Sequence, residues 1–115
     1  MQRDIADVLA DILEAADFIA SDTAAATFDV FVADRRMRQL VDHNFLIIGE
    51  AVNRLSRRDP RMAEQISAAE QIVAFRNVLI HGYDVIDYPT VWQAIHESLP
   101  VLRAEVEALL REAQP

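Results

Sequence analysis

The chain has no cysteine and no lysine, and only two glycines and four prolines among 115 residues. Without cysteine there is no disulfide, no thiol nucleophile and no cysteine-based zinc site. Such a chain suits a reducing compartment. Its start, Met1-Gln2-Arg3-Asp4, has no apolar signal core. No run approaches the roughly 18 apolar residues of a membrane span, so a cytoplasmic location is expected. Six glycines and prolines are too few to punctuate a many-stranded sheet, which favours a few long helices. At 52% hydrophobic the chain is globular rather than disordered. Its length fits one domain, residues 1–115, with a real core.

All eleven cations are arginine, against nineteen acids, for a net charge of −8. That acidity argues against broad, sequence-blind binding to duplex nucleic acid. The charge is uneven, however. From Asp34 to Arg61 seven arginines face four acids, a local +3, while the remainder carries four arginines and fifteen acids. A phosphate backbone suits the first region and a basic partner the second. The plainer reading of such a bias is a solvated helix face.

Ile5, Val8, Leu9, Ile12, Leu13, Ala16 and Ile19 recur at helical spacing, which predicts a first helix over about Gln2 to Ser21 with its acids outward. Ser21-Asp22-Thr23 is a break. A second, longer helix is expected from Thr27 or Asp29 to Leu55, bent near Ala33-Asp34. Its cations Arg35, Arg36 and Arg38 are expected to face solvent or a ligand. Phe45 to Val52 is apolar nearly all round, so that stretch must be covered on every side. A chain this small covers it most easily with a second copy, and Gly49 and Ala51 permit close approach. The alternative is burial within a monomer. Ser56 to Arg61 is a basic turn stopped or restarted by Pro60. Ser67-Ala68-Ala69-Glu70 reads as a capping box opening a third helix that runs to about His81. Asp84 to Asp87 is a loop. Asp87 or Tyr88 caps a fourth helix with Pro89 in its first turn, bent at Pro100 and ending near Ala113. Four helices with short connections give an up-and-down four-helix bundle.

One stretch concentrates chemistry. Arg76-Asn77-Val78-Leu79-Ile80-His81-Gly82-Tyr83 holds a fixed cation, an imidazole and a phenol in eight residues. Gly82 is placed to close the helix, which leaves His81 in its last turn and Tyr83 just beyond. Arg76 and Tyr83 are seven apart and would share a face if the helix ran on. Arg76 and His81 are five apart, roughly 140° around an ideal helix. They meet on one small group only if the helix unwinds or a second chain supplies one of them. A histidine works as general acid or base near neutral pH, and arginine offers a permanent fork of donors to phosphate oxygens. Together they suffice for metal-free cleavage of RNA. Read as residues alone, an arginine and a histidine near a helix end are more often a cap with a surface ion pair, whose loss changes stability but no binding.

The other candidates are plainer. His43 and His96 read as packing or surface residues, and Trp92 as core. His81 with Asp84 and Asp87 matches no standard metal-ligand spacing. Ser56, Ser67 and Ser98 lack the context of a nucleophile elbow, and no glycine loop cradles phosphate.

The run from Arg76 to Tyr83, with Phe75 before it and Val85 to Trp92 after it, resembles the signature of HEPN-domain proteins. In particular it is similar to HepT-type toxins, which are paired with minimal nucleotidyltransferase antitoxins. The matching pattern is Arg, a polar residue (Asn77), three apolar residues, His, any residue, Tyr. Ile47-Ile48-Gly49-Glu50-Ala51, the Trp92 region and Leu99-Pro100 resemble the family's second and fourth helices. The resemblance implies an all-α, HEPN-like four-helix bundle that forms a homodimer, with the two motifs lining one cleft. It implies a metal-independent endoribonuclease in a type VII-like toxin–antitoxin system, with no cofactor. Arg76 and His81 would be catalytic, with Asn77 assisting. The antitoxin would neutralise the toxin by moving AMP from ATP onto Tyr83, where added phosphate charge beside Arg76 would repel RNA. The alternative is a non-enzymatic helical module that binds a nucleotide or a nucleotidyltransferase.

Overall fold

The computed structural model describes residues 3–81 and 87–113, without the side chains of residues 3, 76 and 78–81. The described residues form helices and no strand. They are α1 (Arg3–Thr23), α2 (Phe28–Ala33), α3 (Arg35–Arg58), α4 (Pro60–Ala63), α5 (Ala69–His81), α6 (Tyr88–Gln93) and α7 (Leu99–Ala113), with a π turn at Ala94–Ser98 joining α6 to α7. Four long rods result: α1, α3, α5 and the composite of α6, the π turn and α7. The architecture is the expected all-α, HEPN-like bundle.

Capping side chains set the breaks. The expected bend near Ala33-Asp34 is a true interruption, so the second helix is two. Asp34 has an extended backbone; its N–H closes α2 on the Val30 carbonyl and its Oδ1 accepts the Met37 N–H, 3.0 Å away. Thr27 caps α2 through the Val30 N–H. Asp59 repeats the device between α3 and α4: its N–H reaches the Leu55 carbonyl and its Oδ1 accepts from Met62, with Pro60 as the first helical residue.

The capping box expected at Ser67 does not form. The Ile72 N–H bonds the Ala68 carbonyl, so α5 starts one residue later than a Ser67 cap requires. The N–H and hydroxyl of Ser67 both donate to the Glu105 carboxylate on α7 instead. Where a bend is expected at Pro100, the departure from regular helix falls just before the proline. The Leu99 N–H reaches back five residues to the Ala94 carbonyl, which widens the turn ahead of a residue that cannot donate.

In the bundle α1 packs against α3 and α7, and α3 packs against α5. Leu9, Ile12 and Ile19 of α1 meet Phe45 and Ile48 of α3 in one core cluster with Leu102 and Val106 of α7. Each such side chain, fully withdrawn from water, contributes about 1.5–3 kcal/mol. Phe31 anchors α2, with its ring 5.2 Å from Trp92 and 6.5 Å from Tyr88. Trp92 is thus a half-buried part of the core margin, as expected.

Coverage of α3 is one-sided. Phe45, Ile48, Gly49 and Val52 are buried, while Leu46 and Ile47 are half-buried and Glu50 is exposed. Leu40 on the same helix is 50% exposed. No helix among the described residues is long and apolar enough to cross a membrane.

Candidate active site

Helix α5 carries the motif and stays helical through His81. Its core side is fixed by Ala68 and Ile72, both buried, with Phe75 half-buried beside them. Position 76 lies one turn after Ile72 and shares its arc of the helix. Position 81 lies one turn after Asn77, which is exposed. The five-residue step from 76 to 81 therefore keeps its roughly 140° offset, and the helix does not unwind to close it. Gly82, Tyr83 and Asp84 to Ile86 lie outside the described residues, as do the side chains of Arg76 and His81. The expected helix closure at Gly82, the acceptor role of Tyr83 and the loop at Asp84 fall there.

Helix α3 runs antiparallel to α5. Phe45 meets Phe75 edge-on, with ring centroids 5.0 Å apart, and further along α3 Val52 and Ser56 line a groove with Ala69 and Val73. This groove is about 340 Å³ and ends at Asn77. The antiparallel course carries Asp42, one turn before Phe45, toward the His81 end of α5. Burial pushes the Asp42 carboxyl up from 3.8 to about 6, against the opposing pull of the Arg38 guanidinium. Arg38 is not held out to solvent or ligand as expected. It donates to the Val32 carbonyl and stands 5.0 Å over the Tyr88 ring, a cation–π contact, while Arg35 and Arg36 are exposed. Sequence reading missed Asp42. The only signal was an acid placed between Val41 and Phe45 on an otherwise core-directed stretch.

A second cavity, about 330 Å³, opens between α5 and the composite rod. Its floor is Phe45, Ile72 and Phe75, and Gln71, Gln93 and Glu97 stand on its rim. Nothing in the sequence pattern marked it, because its polar groups are spread over two rods and only one is charged. Among the described residues no group of three or more His, Asp or Glu is placed to hold a metal. His43 is exposed. His96 is exposed with its ring 4.4 Å from Trp92, and its Nδ1 donates to the Trp92 carbonyl at 2.9 Å.

The family model described as ribonuclease HepT-like matches residues 12–109. A Methanocaldococcus jannaschii protein named as a candidate RNase is 34% identical over 106 residues, covering 92% of this chain and 96% of that one. A probable ribonuclease HepT of Thermococcus cleftensis is 31% identical over 109 residues, covering 95% and 98%. A candidate RNase of Caldanaerobacter subterraneus is 28% identical over 101 residues, covering 88% and 89%. No solved structure matches the chain. The matched span runs from α1 into α7 and takes in the whole of the motif helix, and so the chain belongs to the HepT-like ribonuclease family.

Proposed function

We propose that the chain is a metal-independent endoribonuclease, the toxin of a toxin–antitoxin pair, acting in the cytoplasm as a single-domain homodimer. The observation that carries this reading is the unbroken helix from Ala69 to His81. A regular helix cannot bring positions 76 and 81 onto one phosphodiester, whereas two copies can, each supplying one of them. The uneven coverage of α3 supports the same assembly. Leu40 is exposed and Leu46 and Ile47 are half-buried, so part of the apolar surface of α3 is left incompletely covered.

In the proposed reaction the His81 imidazole takes the proton of the ribose 2′-hydroxyl. The 2′-oxygen then bonds to phosphorus, the bond to the 5′-oxygen breaks, and that oxygen leaves with a proton from the imidazolium or from water, which returns the imidazole to its neutral form. The product is a 2′,3′-cyclic phosphate. Arg76 stabilises the charge growing on the phosphoryl oxygens, and Asn77 assists in holding the phosphate. Neutralisation follows when a minimal nucleotidyltransferase brings ATP to Tyr83. The phenol oxygen bonds to the α-phosphorus, pyrophosphate leaves and the phenol proton is released. The added anion sits seven residues from Arg76 and repels RNA.

The test is cleavage of a single-stranded RNA in excess chelator. Native protein is expected to cut it, and a folded His81→Ala variant is expected not to. Unchanged cleavage by that variant removes His81 from the mechanism.

A further inference from the structure

The cavity between α5 and the composite rod has the walls of a base-binding slot and not those of an anion site. Its floor is apolar and partly aromatic, formed by Phe45, Ile72 and Phe75. None of its described lining residues is cationic, and its charged group is the Glu97 carboxylate, which repels phosphate. The Gln93 Nε2 donates to Glu97 Oε2 at 3.0 Å. That bond leaves the Gln93 carbonyl oxygen and the second Glu97 oxygen as acceptors, on residues four apart that both line the cavity. Both residues belong to the segment at the π turn, with Gln93 immediately before it and Glu97 within it. Wide turns of this kind are enriched at functional sites.

Two acceptors on one wall of a slot suit a base edge that carries two donors side by side. On the pairing edges of the four RNA bases, only guanine offers them, in N1–H and the 2-amino group. Adenine and cytosine set a ring acceptor beside their amino group, and uracil flanks its single N–H with two carbonyls. Phe75 is the chain neighbour of Arg76, so the slot adjoins the motif. The volume, about 330 Å³, is at the small end of the range for ligand sites and sufficient for one base. We propose that this pocket receives an unpaired guanine of the RNA substrate, beside the phosphodiester that the motif cleaves. The assignment rests on the ribonuclease reading above. It adds the base that the enzyme prefers and the residues, Gln93 and Glu97, that select it.

Two measurements on the full chain test it. The first maps the cuts made in a single-stranded RNA of mixed sequence and compares kcat/KM for oligonucleotides that differ only in a G or an A beside the cut. Native protein is expected to favour G. Glu97→Gln, which replaces an acceptor with a donor, is expected to reduce that preference about tenfold or more. Both Gln93 and Glu97 are exposed, so the variant keeps its fold, which a thermal melt checks. Cleavage without base preference, or a preference unchanged by Glu97→Gln, overturns the assignment. The second measurement is saturation-transfer NMR with guanosine, adenosine and uridine as probes. Guanosine is expected to bind in preference to the other two, and Glu97→Gln to abolish that selectivity. If no RNA is cut at all, the ribonuclease reading fails on the first measurement. The second then decides the pocket on its own: selective guanosine binding sustains it, and no selectivity overturns it.

Discussion

The N–H and the hydroxyl of Ser67 both donate to the carboxylate of Glu105, 38 residues further along the chain. Distances of 3.1 and 3.0 Å make this a double hold between the start of α5 and the middle of α7. It fixes the far end of the motif helix where a local cap would otherwise be needed. Because the contact is exposed, Glu105→Ala is expected to cost about 1 kcal/mol and not the larger amount of a buried charged pair. Denaturant melts measure this, and Ser67→Ala in the same background should add little.

Asp42 predicts a pH dependence. With its pKa raised to about 6, the folded chain keeps a proton that the unfolded chain releases near pH 3.8. The contribution to stability is present in full below that lower value, falls as pH rises toward about 6, and stays low above it. Asp42→Asn removes the titration. The variant is expected to be more stable than native at pH 8, by on the order of 1 kcal/mol once partial exposure is allowed for, and nearly equal to it at pH 4.5. Urea midpoints at the two pH values check the sign.

Phe31 is fully buried against Trp92 and Tyr88 and ties the short helix α2 to α6. Phe31→Ala is expected to lose about 3–5 kcal/mol. A loss under 1 kcal/mol, read from calorimetry, would show that α2 contributes little to holding the end of the bundle.

In cleavage assays, His81→Ala is expected to lower kcat by about 10²–10⁴ as a lost general acid or base. Arg76→Lys keeps the charge but not the bidentate fork, and is expected to recover only part of the activity lost in Arg76→Ala. Mixing inactive His81→Ala with inactive Arg76→Ala should restore some cleavage, since one of the two composite clefts would then be intact. No restoration would argue that both groups act from the same copy.

Leu40→Glu together with Ile47→Glu places charge on the half-covered stretch of α3. The proposed dimer is expected to dissociate at least tenfold more readily, as measured by analytical ultracentrifugation, and cleavage should fall in parallel.

Much of this fold was legible because helical spacing is a local property. The stripe from Ile5 to Ile19, the helix that carries positions 76 and 81 and the Asp87–Pro89 start of α6 were all readable within a few turns of chain. What failed to show was decided by partners far away. Ser67 reads as a local cap until Glu105 approaches from another rod. Arg38 reads as a solvent cation until Tyr88 lies beneath it. The motif residues were legible because they fall in one eight-residue run, whereas the cavity rimmed by Gln71, Gln93 and Glu97 was not, because the two rods that form it are joined only in space.

The wide turn at Ala94–Ser98 has a consequence for how the chain tolerates change. It inserts the equivalent of one spare residue into the last rod. Deleting a single position there would heal the rod into continuous α-helix and leave the residues beyond it in phase, with Leu99, Leu102 and Val106 still directed at the core. A deletion in the regular part of the rod would instead turn everything beyond it by about 100°. The wide turn is thus the one stretch of this rod from which a residue can be lost without repacking the core.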